Sequence, residues 1–204
     1  LSSPGKRLSH YCLTLVPHVA YLAHRKNQRI FQHVSVQQII EQLLEEHGIF
    51  SDAYAFTQLS PYKAREYCVQ YGESDLHFIQ RLCFEEGLHF HFTHSPQGHV
   101  LVFGDKQTAF SLLRGATPFV QGSGLVALEP AINGFTVQLQ TRTNSTAQRD
   151  YNFEKASHGL QVDSRTALNE RALESYTYPG GFSDGRQGER LNHIVLEHHQ
   201  TQAR

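Results

Sequence analysis

Between Arg65 and Phe92 the recurrence of apolar residues switches from every second position to helical spacing and back again, a pattern that only strand, helix and strand can satisfy. Tyr67, Val69 and Tyr71 alternate with Glu66, Cys68 and Gln70, which predicts a strand with the first three on the core face. Gly72 is expected to break it. Ser74 can cap the following helix, and Asp75 stands in its first turn, where exposed amides favour negative charge. Leu76, Ile79, Leu82 and Cys83 form the apolar stripe of that helix, and Gly87 ends it. From Leu88 the period is two again, with Leu88, Phe90 and Phe92 on one face and His89, His91 and Thr93 on the other.

A second helix announces itself upstream. Ser35 and Gln38 have the spacing of a capping box, with Val34 and Ile39 as a hydrophobic staple. Val36, Ile39, Ile40, Leu43 and Leu44 make one stripe, Gln37, Glu41, Gln42, Glu45 and Glu46 face out, and Gly48 terminates the helix. Residues 33–104 therefore read as a compact α+β unit, two helices against one face of a small sheet, closed by a turn at Ser95-Pro96-Gln97-Gly98 and a returning strand from His99 to Phe103. Before it, Tyr11 to Val16 is a strand candidate ended by Pro17, and residues 1–32 read as one edge of a domain that begins upstream.

Beyond Gly104 the chain becomes short, glycine-punctuated and alternating, as in a small β-barrel. Phe135, Val137 and Leu139 against Thr136, Gln138 and Gln140 are its clearest strand, with weaker ones at Leu112 to Thr117, Phe119 to Gln121 and Arg149 to Phe153. Asp163 to Tyr176 has helical composition, Tyr178-Pro179-Gly180-Gly181 is a turn, and Glu189 to His199 is a terminal helix presenting Leu191, Ile194, Val195 and His198.

With 204 residues, 39% hydrophobic and 18% charged, the composition is globular. A formal charge of −1 gives no reason to bind nucleic acid or an anionic membrane surface, and no apolar run approaches the ~20 residues of a membrane helix. The chain opens on Leu1 and contains no Met, so it is expected to be a piece of something longer. Cys12, Cys68 and Cys83 show no CxxC spacing and are expected to be buried free thiols of a protein that folds in a reducing compartment.

No arrangement of residues points to catalysis, a cofactor or a metal. The 14 histidines are the one oddity, and on a strand His89 and His91 share a side that His99 could join across a hairpin; His94 has the opposite parity and no carboxylate is interleaved, so a polar face without a ligand is expected. Gly122-Ser123-Gly124 lacks the context of a nucleophile elbow. The pairs Glu45-Glu46 and Glu85-Glu86 lie near helix C-termini and read as solvated faces rather than a glycosidase pair. His24-Arg25-Lys26-Asn27-Gln28-Arg29 is basic without interleaved aromatics, and reads as a solvated loop or subunit contact.

The stretch YCVQYGESDLHFIQRLCFEEG closely resembles the signature of the VgrG spike proteins of type VI secretion, relatives of the baseplate hub and late-control D proteins of contractile-tailed phages. GKRLSHYCLTLVPHVAYLAHRKNQRIFQHVSVQQIIEQLLEEHG before it, and RDYNFEKAS and YTYPGGFSD with GERLNHIVLE after it, are similar to further blocks of that family in the same order, so the likeness covers nearly the whole chain. The resemblance implies an α+β fold in which small antiparallel β-barrel-like domains flank the two-helix unit: residues 1–32 ending a first barrel, 33–104, and 105–204 as a second barrel of similar fold with a helical connection. It implies a homotrimeric hub that meets the hexameric Hcp tube, carries effector or adaptor proteins, pierces target cells, and is assembled in the cytoplasm and exported, with no catalytic residue in this module. A phage tail baseplate hub is the nearest alternative, and a cell-wall hydrolase the alternative of another class.

Overall fold

The computed structural model describes residues 3–4, 9–57, 59–112, 115–120, 131–166 and 171–202. One unit, residues 1–84 with 88–109, contains β1 (Ser3–Pro4), β2 (Ser9–His10), a 3-10 helix at His18–His24, β3 (Lys26–Phe31), α1 (Val36–Glu46), β4 (Tyr54–Thr57), β5 (Cys68–Ser74), α2 (Asp75–Glu86, which runs just past the boundary), β6 (His89–Ser95) and β7 (Gly98–Gly104). The other, residues 85–87 with 110–204, contains β8 (Ser145–Asp150), β9 (Leu160–Arg165), β10 (Glu174–Thr177) and α3 (Gly185–Gln202). The architecture is α+β, built on several small open sheets. No closed barrel is present among the described residues.

In the first unit the capping box at Ser35 is complete: its hydroxyl accepts from the Gln38 backbone amide at 3.3 Å and the Gln38 side-chain Oε1 accepts from the Ser35 backbone amide at 2.9 Å. Two orphan donors of the helix end are thereby satisfied. Val36, Ile39, Ile40, Leu43 and Leu44 are all fully buried, joined by Phe78, Ile79, Leu82 and Cys83 of α2 and by Leu101 and Phe103 of β7. At roughly 1.5–3 kcal/mol for each large side chain removed from water, the α1 stripe alone contributes on the order of 10 kcal/mol against chain entropy. Gly48, at φ +73°, takes the left-handed position after the helix.

β6 and β7 form a hairpin across a two-residue turn, and β4 lies parallel to β7 on its other side. β4 has no equivalent in the sequence reading, because Tyr54-Ala55-Phe56-Thr57 is too short to show a period. β3 pairs antiparallel with β5, and here two expectations are corrected. Gly72 does not end the strand; at φ +62° it is the extra residue of a bulge, between the pairs Asn27↔Glu73 and Gln28↔Tyr71. The facing is also reversed: Cys68 and Gln70 are buried, while Tyr67 and Tyr71 are exposed, Tyr71 by 77%. Gln70 goes inward because a polar partner awaits it there. Tyr11 to Val16 is not a strand, and pairs with nothing among the described residues.

In the second unit β8 is central, antiparallel to β9 and parallel to β10. The segment Asp163 to Tyr176, expected to be helical, instead contributes the end of β9 and most of β10; residues 167–170 lie outside the described residues. Helical composition is a weak local preference, and pairing to β8 overrides it. Arg149 to Phe153 straddles the end of β8 and a 3-10 turn, and among the described residues Phe119 makes an isolated bridge to Ile132. Leu112 to Thr117 shows no strand in its described part, while residues 113, 114 and 121 lie outside the described residues. Phe135 to Gln140 is in no strand either. The terminal helix α3 is longer than expected at both ends, and its Asn192 Nδ2 donates to the Thr146 carbonyl of β8 at 3.2 Å.

Asp150 closes this unit. Its Oδ2 accepts from the amides of Gly181 at 2.6 Å and Phe182 at 3.2 Å, pinning the turn before α3. The Phe182 ring then fits only because glycines flank it: a Cβ on Gly180 would lie 2.3 Å from the ring, and one on Gly188 2.7 Å. Phe182 joins Leu160 and Val162 in a small core against which Leu191 packs. No helix among the described residues is long and apolar enough to cross a membrane.

Candidate functional site

The most concentrated polar chemistry in the chain is centred on Asp75, whose side chain is 0% exposed. Oδ1 accepts from Gln70 Nε2 at 2.7 Å and stands 3.6 Å from Arg29 Nη2. Oδ2 accepts from Arg25 Nε and faces His47 Nε2 at 2.8 Å. Arg29 also donates to Gln70 Oε1 at 3.0 Å and to Glu46 at 2.9 Å, and Arg25 donates to Glu46 as well. Burial opposes ionisation of Asp75, but hydrogen bonds from Gln70, His47 and Arg25 outweigh it and hold the carboxyl below its ordinary range. Arg25 and Arg29 therefore belong to an ordered clamp joining β3, α1 and the start of α2. Their basic run, expected to be a solvated loop or subunit contact, is not a solvated loop; of its β3 residues Lys26 and Gln28 are exposed. A carboxylate whose oxygens are all engaged, with no opening to solvent, holds elements together and does not activate a substrate. Sequence reasoning missed the clamp because Arg25 and Arg29 are far in the chain from Gln70 and Asp75, although Asp75 beside a helix cap was visible.

The histidine hairpin sorts its side chains by parity. Phe90, Phe92 and His94 of β6 share a face with His99, Leu101 and Phe103 of β7; His89 and His91 point the other way, their rings 6.2 Å apart. His89 stands opposite Gly104 and His91 opposite Val102, so the spacing that would join them to His99 is not realised. Burial, with His91 beside it, pushes His89 below the usual imidazole range, against the opposing pull of Asp105. Among the described residues no group of three His, Cys, Asp or Glu side chains is placed to hold a metal ion.

The remaining candidates disperse. Gly122-Ser123-Gly124 lies outside the described residues. Glu46 is occupied by Arg29 and Arg25, which hold its carboxyl low against the cost of burial, and of the pair Glu85-Glu86 at the end of α2, expected on a solvated face, Glu86 is buried. Cys68 and Cys83 are buried, and burial pushes the Cys83 thiol up to about 12. Cys12 is exposed, contrary to expectation, as are Tyr11, Leu13 and Leu15 around it.

Two apolar strips are left open. Tyr11, Leu13 and Leu15, the last 96% exposed, alternate with Cys12 and Thr14, and Phe135, Val137 and Leu139 alternate with Thr136 and Gln138. Each strip has strand periodicity but lies in no ladder among the described residues. Alternation gives a strand only when a neighbouring backbone satisfies its amides and carbonyls.

A family model described as the phage tail baseplate hub (GPD) matches residues 2–204. The chain belongs to this hub family. Its relatives include the type VI secretion system spike protein VgrG4b of Pseudomonas aeruginosa, 55% identical over 98% of the chain and 25% of that protein. VgrG5 of the same organism is 48% identical over 97% of the chain. The actin cross-linking toxin VgrG1 of Vibrio cholerae is 35% identical over 95% of the chain and 18% of that protein. The chain thus spans a quarter or less of the length of these curated relatives. A 43 kDa tail protein of prophage MuSo2 from Shewanella oneidensis has a similar fold, at TM-score 0.55 and 13% identity, over 91% of this chain and 53% of that one. In this hub chain the motif blocks are tied physically to one another: Arg25 and Arg29 to Gln70 and Asp75, and Asp150 of RDYNFE to the amides of the YPGGF turn.

Proposed function

We propose that the chain is the hub segment of a type VI secretion spike, acting by assembly rather than by catalysis. The observation that carries this reading is the 55% identity to a spike protein across 98% of the chain. Three copies form the hub and meet the hexameric Hcp tube; the assembled spike carries effector or adaptor proteins, pierces target cells and leaves the cell through the secretion system. A trimer can match six similar faces only if each copy supplies two, which is the reason to divide the chain into a first barrel ending near residue 32, the two-helix unit of 33–104, and a second barrel over 105–204. The open strips at 11–16 and 135–139 fit strands that find their ladders only in the assembled protein. A phage tail baseplate hub is the second reading, favoured by the description of the matching family and by the likeness to a prophage tail protein.

Light scattering on the full-length protein, with and without purified Hcp rings, tests the proposal. A trimer that binds the rings end-on supports it. A full-length monomer, or a trimer indifferent to Hcp, would sink the spike reading; Val137→Lys should weaken the trimer if the second strip pairs within it.

A further inference from the structure

We propose that His94 and His99 form a two-imidazole site for a divalent transition-metal ion of the zinc, nickel or copper class. The two are direct partners in the β6–β7 ladder, on the same face, one step from the turn. Residues directly opposite in an antiparallel pair have Cβ atoms about 4.5–5.5 Å apart, so the two imidazoles converge from rigid positions. Their ring centroids are 6.0 Å apart at an interplanar angle of 46°. With metal–nitrogen bonds of about 2.0–2.1 Å, an ion shared by two imidazoles holds the ring centres roughly 5–6 Å apart. The observed separation lies at the upper end of that range.

The parity that separates His94 from His89 and His91 is what brings it to His99. Both lie on the face of Phe90, Phe92, Leu101 and Phe103, at the end where the apolar core stops. Phe92 contacts both imidazoles, with ring centroids 6.3 Å from His94 and 5.6 Å from His99. A cavity of about 240 Å³ opens beside His99, walled by His18, Val19, Ile49, Phe92 and Leu101. At ≈ 30 Å³ per water it has room for solvent beside His99, while His94 on the other side is exposed. The backbone is held in place by the ladder and by Ser95, whose Oγ donates to the Gly98 carbonyl at 3.2 Å and accepts from the Gln97 amide at 3.3 Å. Imidazole donors suit zinc, nickel and copper, and leave magnesium and calcium without their preferred oxygens. Because the ion binds the paired strands and not the open chain, it staples the hairpin tip by mass action.

The test is calorimetric titration of zinc chloride, then nickel chloride, into the tag-free 204-residue chain, with histidine side-chain NMR signals followed in parallel. Saturable binding of one ion per chain is expected, with His94 and His99 signals moving together. His94→Ala and His99→Ala should each lower the affinity about tenfold or more, the double variant little further, and His91→Ala should leave it unchanged. Far-UV circular dichroism confirms that each variant is folded, and His94→Asn and His99→Gln repeat the test with polar packing kept. Binding that is absent, undiminished in either single variant, or lost in His91→Ala would overturn the proposal.

Discussion

Gln70 donates from Nε2 to Asp75 Oδ1 at 2.7 Å, and that bond turns a residue of β5 toward the core where its apolar neighbours Tyr67 and Tyr71 stay outside. A buried amide is tolerable when its donor and acceptor are both used, and Gln70 also accepts from Arg29. The clamp around Asp75 is a set of partners that cannot be removed singly. Asp75→Ala leaves two guanidinium groups facing a void. Removing one partner of a buried ion pair costs about 3–5 kcal/mol, and the partial exposure of Arg25 places this variant near the lower figure. A urea midpoint equal to that of the unchanged protein would show that the clamp contributes nothing.

The clamp and the separate Glu73–Arg81 pair set an acid limit. Asp75, Glu46 and Glu73 are all held below their ordinary ranges in the fold, despite burial, by hydrogen bonds: Asp75 from Gln70, His47 and Arg25, Glu46 from Arg29, Gln42 and Arg25, and Glu73 from Arg81 and His77. A carboxyl with a lowered folded-state pKa binds its proton more readily in the unfolded chain. Its stabilisation is present above the unfolded value and is lost as pH falls through the folded one. The carboxylates' contribution to stability, read by urea titration, should therefore be level above about pH 5 and fall below about pH 4, and Asp75→Asn should flatten that fall. A fall of equal steepness in the variant would remove Asp75 as a cause.

Leu82 is 0% exposed in the layer where α2 meets the core. Leu82→Asp combines lost packing with an uncompensated charge and should cost more than about 3 kcal/mol. An unchanged unfolding midpoint would place that face of α2 in solvent and end the two-helix unit.

Asp150 accepts from two successive amides at the turn before α3. Hydrogen bonds to a charged group contribute about 1.5–3 kcal/mol, so Asp150→Ala should destabilise the second unit by roughly 2 kcal/mol and open the Gly180–Phe182 turn to proteolysis. Limited proteolysis that cuts both proteins at the same rate elsewhere and never at this turn would show that the carboxylate does not hold it.

The sequence by itself determined the elements whose signals are local. The capping box of Ser35, the stripe from Val36 to Leu44, the period of Phe90 and Phe92 and the turn between Ser95 and Gly98 each complete their pattern within a few residues, and the structure keeps all of them. The long ordered motifs also identified the hub family, because their order spans the chain. Tertiary structure decided whatever depended on a distant partner. It made Gly72 a bulge opposite Asn27 and Gln28 rather than a break, turned β5 inward at Gln70 to meet Asp75 and Arg29, and set His94 against His99. It also drew Glu174–Thr177 into a parallel strand on β8, and left Phe135 to Leu139 without a ladder among the described residues. Periodicity records which side of an element is apolar, whereas strand pairing and polar burial are settled by which backbone and which charge arrive from elsewhere in the chain.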